Sequence, residues 1–106
     1  MLLTNTEAIP GKNIVRYLGL VQGNTIRARH VGRDIMAGFK AMVGGEIKSY
    51  TELLQQARKE ATDRMVAQAT QLGANAVVNV RFTTSAVTAG AAELYAYGTA
   101  VTVQPA

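Results

Sequence analysis

The sequence predicts an α+β fold, a mainly antiparallel sheet covered by one long and one short helix, and three observations lead to that expectation. From Ser49 to Leu72 apolar residues recur every three or four positions, the period of an amphipathic helix. The two segments after it, Ala76 to Thr84 and Glu93 to Val103, alternate at the period of two that strands require. At 106 residues, with 48% hydrophobic and 17% charged, the chain suits one two-layer core and has no room for a second, so residues 1–106 read as a single domain.

Leu2 to Thr4 is a short strand candidate. The turn signal Pro10-Gly11-Lys12 separates it from the strand-like run Asn13 to Arg29. In that run Ile14, Val15, Tyr17, Leu18, Leu20, Val21 and Ile26 favour a pleated, mostly buried surface. Gly19 and Gly23 read as bulges or a turn, so two strand segments broken near Gly23-Asn24 are expected. Asp34 to Val43 reads as a short helix, with Ile35, Phe39 and Met42 at helical spacing, Asp34 accepting from the first free amides, and Gly44-Gly45 ending it.

Ser49-Tyr50-Thr51-Glu52 has the S-x-x-E spacing of a capping box, which places a helix start at Ser49. Its apolar stripe is Tyr50, Leu53, Leu54, Ala57, Ala61, Met65, Ala69 and Leu72, and Gly73 supplies the stop. The repeated alanines would let this helix lie close to a sheet. Two strands follow: Ala76 to Thr84, where Val78, Val80 and Phe82 alternate with Asn79, Arg81 and Thr83, and Glu93 to Val103, where Tyr95, Tyr97, Val101 and Val103 share one face. Ser85 to Ala92 reads as the connecting loop.

Composition narrows the function classes. With no cysteine there is no disulfide framework, thiolate nucleophile or sulfur-rich metal site. The first residues lack the basic start and apolar run of a signal peptide, and no stretch is apolar enough to span a bilayer, so a cytoplasmic location without a membrane partner is expected. The net charge of +4 permits loose attraction to polyanions, but the positive charge is scattered and aromatics are only 6%, so nucleic acid is not an expected partner. No triad, dyad or metal signature is evident, and the expectation is a protein that is not an enzyme.

Two candidate sites remain. His30, the one histidine, and Asp34 could offer two ligands to a divalent metal ion if the short helix began earlier. A firm site needs three or four ligands, so Glu46 or Glu93 would have to arrive from elsewhere in the fold or from a neighbouring subunit. The alternative reading of His30 is a surface or interface residue. Arg27, Arg29 and Arg33, with His30, crowd basic groups ahead of the short helix, where a small anionic ligand could dock. Arg33 could instead pair with Asp34, Glu46 or a carboxylate of another subunit.

Arg33-Asp34-Ile35 with Ala37-Gly38, Val43-Gly44-Gly45, the capped helix with Ala57-Arg58, Leu72-Gly73-Ala74-Asn75-Ala76-Val77-Val78 and Tyr97-Gly98-Thr99-Ala100-Val101 together resemble the YbjQ family of small bacterial and archaeal proteins. The resemblance spans nearly the whole chain. It implies a dodecin-like subunit forming a ring, typically a homopentamer, with heavy-metal binding as the family's label and no established biochemical activity. Several members place carboxylates in the strand after the Gly-Ala-Asn-Ala motif. This chain reads Val80-Arg81-Phe82-Thr83 there, so a cation site built on those carboxylates would lack them.

Self-association is expected on independent grounds. Tyr95, Tyr97, Val101 and Val103 point opposite to Leu94, Ala96 and Ala100, and one long helix cannot shield both faces. A second copy of the chain is the simplest cover, which makes the chain its own expected partner. The functional alternatives are a homo-oligomeric binding protein for a metal or small anion, and a structural or protein-interaction module.

Overall fold

The computed structural model describes residues 1–28, 48–88 and 91–106. Among them four strands form one sheet: β1 (Leu2–Leu3), β2 (Lys12–Ala28), β3 (Ala76–Thr88) and β4 (Ala91–Pro105), in the spatial order β1-β3-β4-β2. The helix α1 (Lys48–Gln71) packs on one face of it. β4 runs antiparallel to both β2 and β3, whereas β1 runs parallel to β3 with Leu2 opposite Ala76. The α+β class stands, with a mixed sheet. The short helix expected over 34–43 lies outside the described residues.

α1 meets the sheet along a narrow line. Ala57, Ala61, Met65 and Ala69, spaced by four, are buried to 2% exposure or less, while Leu54 and Leu72 from the expected stripe are exposed. Small side chains in this row let the helix backbone come close to the strands. Gly23 is the other half of this approach. A Cβ at that position would collide with the Ala61 carbonyl oxygen and come within 2.5 Å of the Met65 amide nitrogen. The expected break near Gly23-Asn24 is thereby corrected: β2 runs unbroken from Lys12 to Ala28, and the glycine makes room for the helix rather than a turn. Gly19, with φ +120°, does sit at a register irregularity of β2, as its bulge reading requires.

Polar contacts fix the helix over β2. The Thr25 hydroxyl donates to the Ala57 carbonyl at 3.3 Å, and the Gln22 N–H donates to Gln68 Oε1 at 2.9 Å. Arg64 Nη1 reaches the Asn24 carbonyl at 2.5 Å. At its C-terminus α1 ends on Gly73 in the left-handed region, φ +84°. The Ala74 N–H bonds to the Ala69 carbonyl and the Gly73 N–H to the Thr70 carbonyl, both at 3.0 Å, which satisfies carbonyls the helix leaves free. Lys48, the first described residue of this segment, is already helical, so the expected cap at Ser49 lies inside the helix.

Asn79 changes the reading of β3. Its φ of +54° marks a bulge between Val78 and Arg81, and the extra residue sends Val78 and Val80 to opposite faces, where plain alternation had placed them together. Val80 joins Val21, Met65, Leu94 and Ala96 under α1. Val78 joins Ala76, Val101 and Val103 on the far side, with Ile9 and Ile14 packed over them. The N-terminal segment therefore covers part of the face that α1 leaves bare. It also holds the bulge, since the Asn79 N–H donates to the Thr6 carbonyl at 3.0 Å and the Val80 N–H to the Thr4 carbonyl at 2.9 Å. The loop expected over Ser85 to Ala92 is corrected too: Ser85 pairs with Glu93, Ala86 with Ala92 and Thr88 with Ala91, so strand structure runs almost to the end of the hairpin.

Candidate functional site

The alternation of β4 sends Leu94 and Ala96 to α1 and leaves Tyr95 and Tyr97 on the other face, half-buried. Their rings lie 5.3 Å apart between centroids and are tilted by 33°. Strand register sets their neighbours: Gln22 and Arg81 flank Tyr97, and Asn24 and Thr83 flank Tyr95. The Tyr95 hydroxyl donates diagonally to Gln22 Oε1, and Asn24 Nδ2 donates to Glu93 Oε2 at 2.9 Å. Arg81 Nη1 donates to the Asn5 carbonyl at 2.7 Å, tying the N-terminal segment to the rim of this face. The result is a patch of two aromatic rings bordered by amides, one carboxylate and one guanidinium. Such a surface offers stacking and paired hydrogen bonds.

Two depressions lie beside it. A cleft of about 740 Å³ opens along β3 between the N-terminal segment and α1, with Leu3, Thr6, Thr62, Val80 and Phe82 among its walls. A smaller one of about 420 Å³ is lined by Glu7, Lys12, Tyr17, Asn79 and Thr99, reaching from the N-terminal segment and the β3 bulge across β4 to β2.

Of the residues singled out by sequence, His30, Asp34, Arg29, Arg33 and Glu46 lie outside the described residues, as does the side chain of Arg27. Glu93 is described, and its carboxylate accepts from Asn24. Asp63 is joined to Lys59 at 2.8 Å, whose ammonium it holds above the usual lysine range by that hydrogen bond and its charge. No group of three or more His, Asp or Glu side chains comes together among the described residues. These residues do not by themselves fit a heavy-metal ion. On the strand after the Gly73–Ala76 run, Arg81 carries a positive charge that repels a cation.

Gln22, Asn24 and Arg81 escaped sequence reasoning as partners of the tyrosines. Gln22 and Asn24 do alternate with Val21 and Thr25, but the suspected break at Gly23 hid that they share a face.

A family model described as "Putative heavy-metal-binding", YbjQ, matches residues 1–104. The chain belongs to the YbjQ family. Among YbjQ relatives, a UPF0145 protein of Hahella chejuensis is 65% identical over 104 residues, covering 98% of this chain and 100% of that one. A UPF0145 protein of Archaeoglobus fulgidus is 60% identical over 101 residues, covering 95% and 94%. A crystal structure from Pediococcus pentosaceus, of a protein with unknown function in the DUF74 family, superposes with a TM-score of 0.65 at 16% identity over 98% of both chains. That likeness extends the shared fold well beyond the close YbjQ relatives. No helix among the described residues is long and apolar enough to cross a membrane.

Proposed function

We propose that this protein is a non-catalytic subunit that assembles with copies of itself, five to a ring, in the cytoplasm and holds a small ligand there. The observation that carries the reading is the outer strand β2. It is 17 residues long, pairs on one side only among the described residues, and presents Tyr17 at 69% and Leu20 at 68% exposure. The radius of gyration of 17.0 Å supports it, against about 13 Å for a compact domain of 100 residues. An elongated protomer gains most by burying its flanks against neighbours. The number five and the cytoplasmic setting come from the family resemblance and the sequence.

The family description supports a metal ion as the ligand, and in this chain His30 and Asp34 would hold it with a carboxylate from elsewhere in the fold or from a neighbouring copy. Without cysteine, and with one histidine, affinity for zinc, copper or nickel is expected to be weak. Calorimetric titration of tag-free protein with zinc tests this. Sub-micromolar binding that disappears in His30→Ala would establish a specific site and overturn the expectation of weakness. No heat at millimolar zinc would remove metal as the ligand.

The Tyr95–Tyr97 pair favours a second reading, a protein-interaction module, because paired tyrosines bordered by amides are characteristic of surfaces that dock other macromolecules.

A further inference from the structure

The depression of about 420 Å³ that reaches from the N-terminal segment across β4 to β2 has charges of both signs in its wall. Local geometry brings them there. Gly11, at φ +78°, turns the chain, and the Lys12 N–H donates to the Ile9 carbonyl at 3.1 Å, so Glu7 and Lys12 reach one cavity from the two arms of a turn. Asn79, at φ +54°, is held by its bond to the Thr6 carbonyl and lines the same cavity, and strand register sets Thr99 opposite Val78. Buried Val78 and half-buried Ile9 and Ile14 supply an apolar wall. On the tyrosine face of the sheet the polar side chains bond one another, Tyr95 to Gln22 and Asn24 to Glu93. Here, among the described residues, the side chains of Glu7, Lys12, Asn79 and Thr99 form no ion pair or hydrogen bond, although opposite charges line one cavity.

We propose that this cavity binds a small zwitterion of the amino-acid type, its carboxylate directed to the Lys12 ammonium and its own ammonium to the Glu7 carboxylate. The signs of charge make the choice. A metal ion is opposed by Lys12 and a phosphate by Glu7, whereas a ligand that carries both charges is attracted at each end. The Asn79 amide and the Thr99 hydroxyl each donate and accept, so they suit either pole. The apolar wall favours a side chain of the leucine or valine kind, and the volume falls within the range of about 300–1,000 Å³ usual for small-molecule pockets. Asn79 adds a fixed point, because left-handed backbone at a residue other than glycine persists only where its surroundings hold it, and such residues cluster at ligand sites. The site uses neither His30 nor Asp34, so it goes beyond the metal reading and stands or falls separately from it.

Calorimetric titration of the tag-free protein with L-leucine tests this, beside leucinamide, which lacks the carboxylate, and N-acetyl-leucine, which lacks the ammonium. Leucine should bind, and each analogue should bind at least about tenfold more weakly. Glu7→Gln and Lys12→Gln change exposed side chains, and thermal unfolding should show both variants folded as wild type. Each should weaken leucine binding by at least about tenfold. The losses should also be specific to one pole: in Lys12→Gln the gap between leucine and leucinamide should close, and in Glu7→Gln the gap between leucine and N-acetyl-leucine. No binding of leucine or valine at about 10 mM would overturn the proposal. Analogues that bind as tightly as leucine, or leucine affinity that both variants retain, would overturn it as well.

Discussion

Asn75 pairs with Val103 through its side chain as a strand residue would through its backbone: Nδ2 donates to the Val103 carbonyl at 2.9 Å, and Oδ1 accepts from the Val103 N–H at 2.8 Å. The Asn75 N–H adds a bond to the Val101 carbonyl at 3.2 Å. The residue stands where the chain leaves the helix stop at Gly73 and Ala74 and enters β3. It locks the exit of α1 to the C-terminal end of β4, beside the cluster of Ala76, Val78, Val101 and Val103. The run Gly73-Ala74-Asn75-Ala76 thus has a physical reason at three of its four positions. The glycine takes the left-handed turn, the asparagine makes the bridge, and Ala76 fits a site with no exposure.

Replacing Asn75 with alanine leaves both Val103 backbone groups without these partners and should cost about 1–3 kcal/mol. Asn75→Asp keeps the acceptor, loses the donor and should fall between alanine and wild type near neutral pH. Urea melts report the order, at one fixed protein concentration, because assembly itself adds to stability.

Gly23→Ala should be the most damaging glycine substitution in the sheet. Its Cβ meets helix backbone at Ala61 and Met65, which cannot move aside as a flexible side chain would, and overpacking of this kind costs about 1–3 kcal/mol or more. Gly19→Ala faces no atom within 4 Å and bears only the strain of φ +120°. Thermal unfolding of the two variants should rank Gly23→Ala well below Gly19→Ala, and the reverse order would remove the close helix approach from the explanation.

Asn79 holds φ +54°, which asparagine and glycine tolerate and β-branched residues do not. Asn79→Gly should be nearly neutral, and Asn79→Val should lose about 1–3 kcal/mol by straining the bulge that separates Val78 from Val80. Denaturant midpoints of the pair check this; equal midpoints would mean that the bulge is not needed.

Legibility in the sequence followed the range of the interaction. The row Ala57, Ala61, Met65, Ala69 and the stop at Gly73 are set within one helix, and periodicity finds them. The opposed faces of β4 were equally plain, because Leu94 and Ala96 against Tyr95 and Tyr97 is a strict alternation. Gly23 misled because a glycine that admits a helix and a glycine that breaks a strand look the same until the helix is placed. The Asn79 bulge was hidden for a related reason: Val78-Asn79-Val80 alternates perfectly on paper, and only its bonds to Thr4 and Thr6 reveal the extra residue. The strand from Ser85 to Thr88 is held by pairing with Glu93 to Ala91, and its small side chains carry no pattern of their own. At the tyrosine face the rings were legible and their partners Gln22, Asn24 and Arg81 were not, since cross-strand register decides which residues meet.

Tyr97→Glu should weaken self-assembly if the half-buried tyrosine face is an interface, because the new carboxylate would be desolvated there with no cation arranged to meet it beyond Arg81. Sedimentation velocity of the variant beside wild type should show a shift toward smaller species at the same concentration. Unchanged sedimentation would place Tyr97 outside the contact.

The central claim, that this chain works as an assembly, is tested most directly by light scattering of the unmodified protein at low micromolar concentration. The account predicts a monodisperse particle of five times the chain mass. A monodisperse monomer would contradict it, and a stable dimer would retain self-association while rejecting the ring.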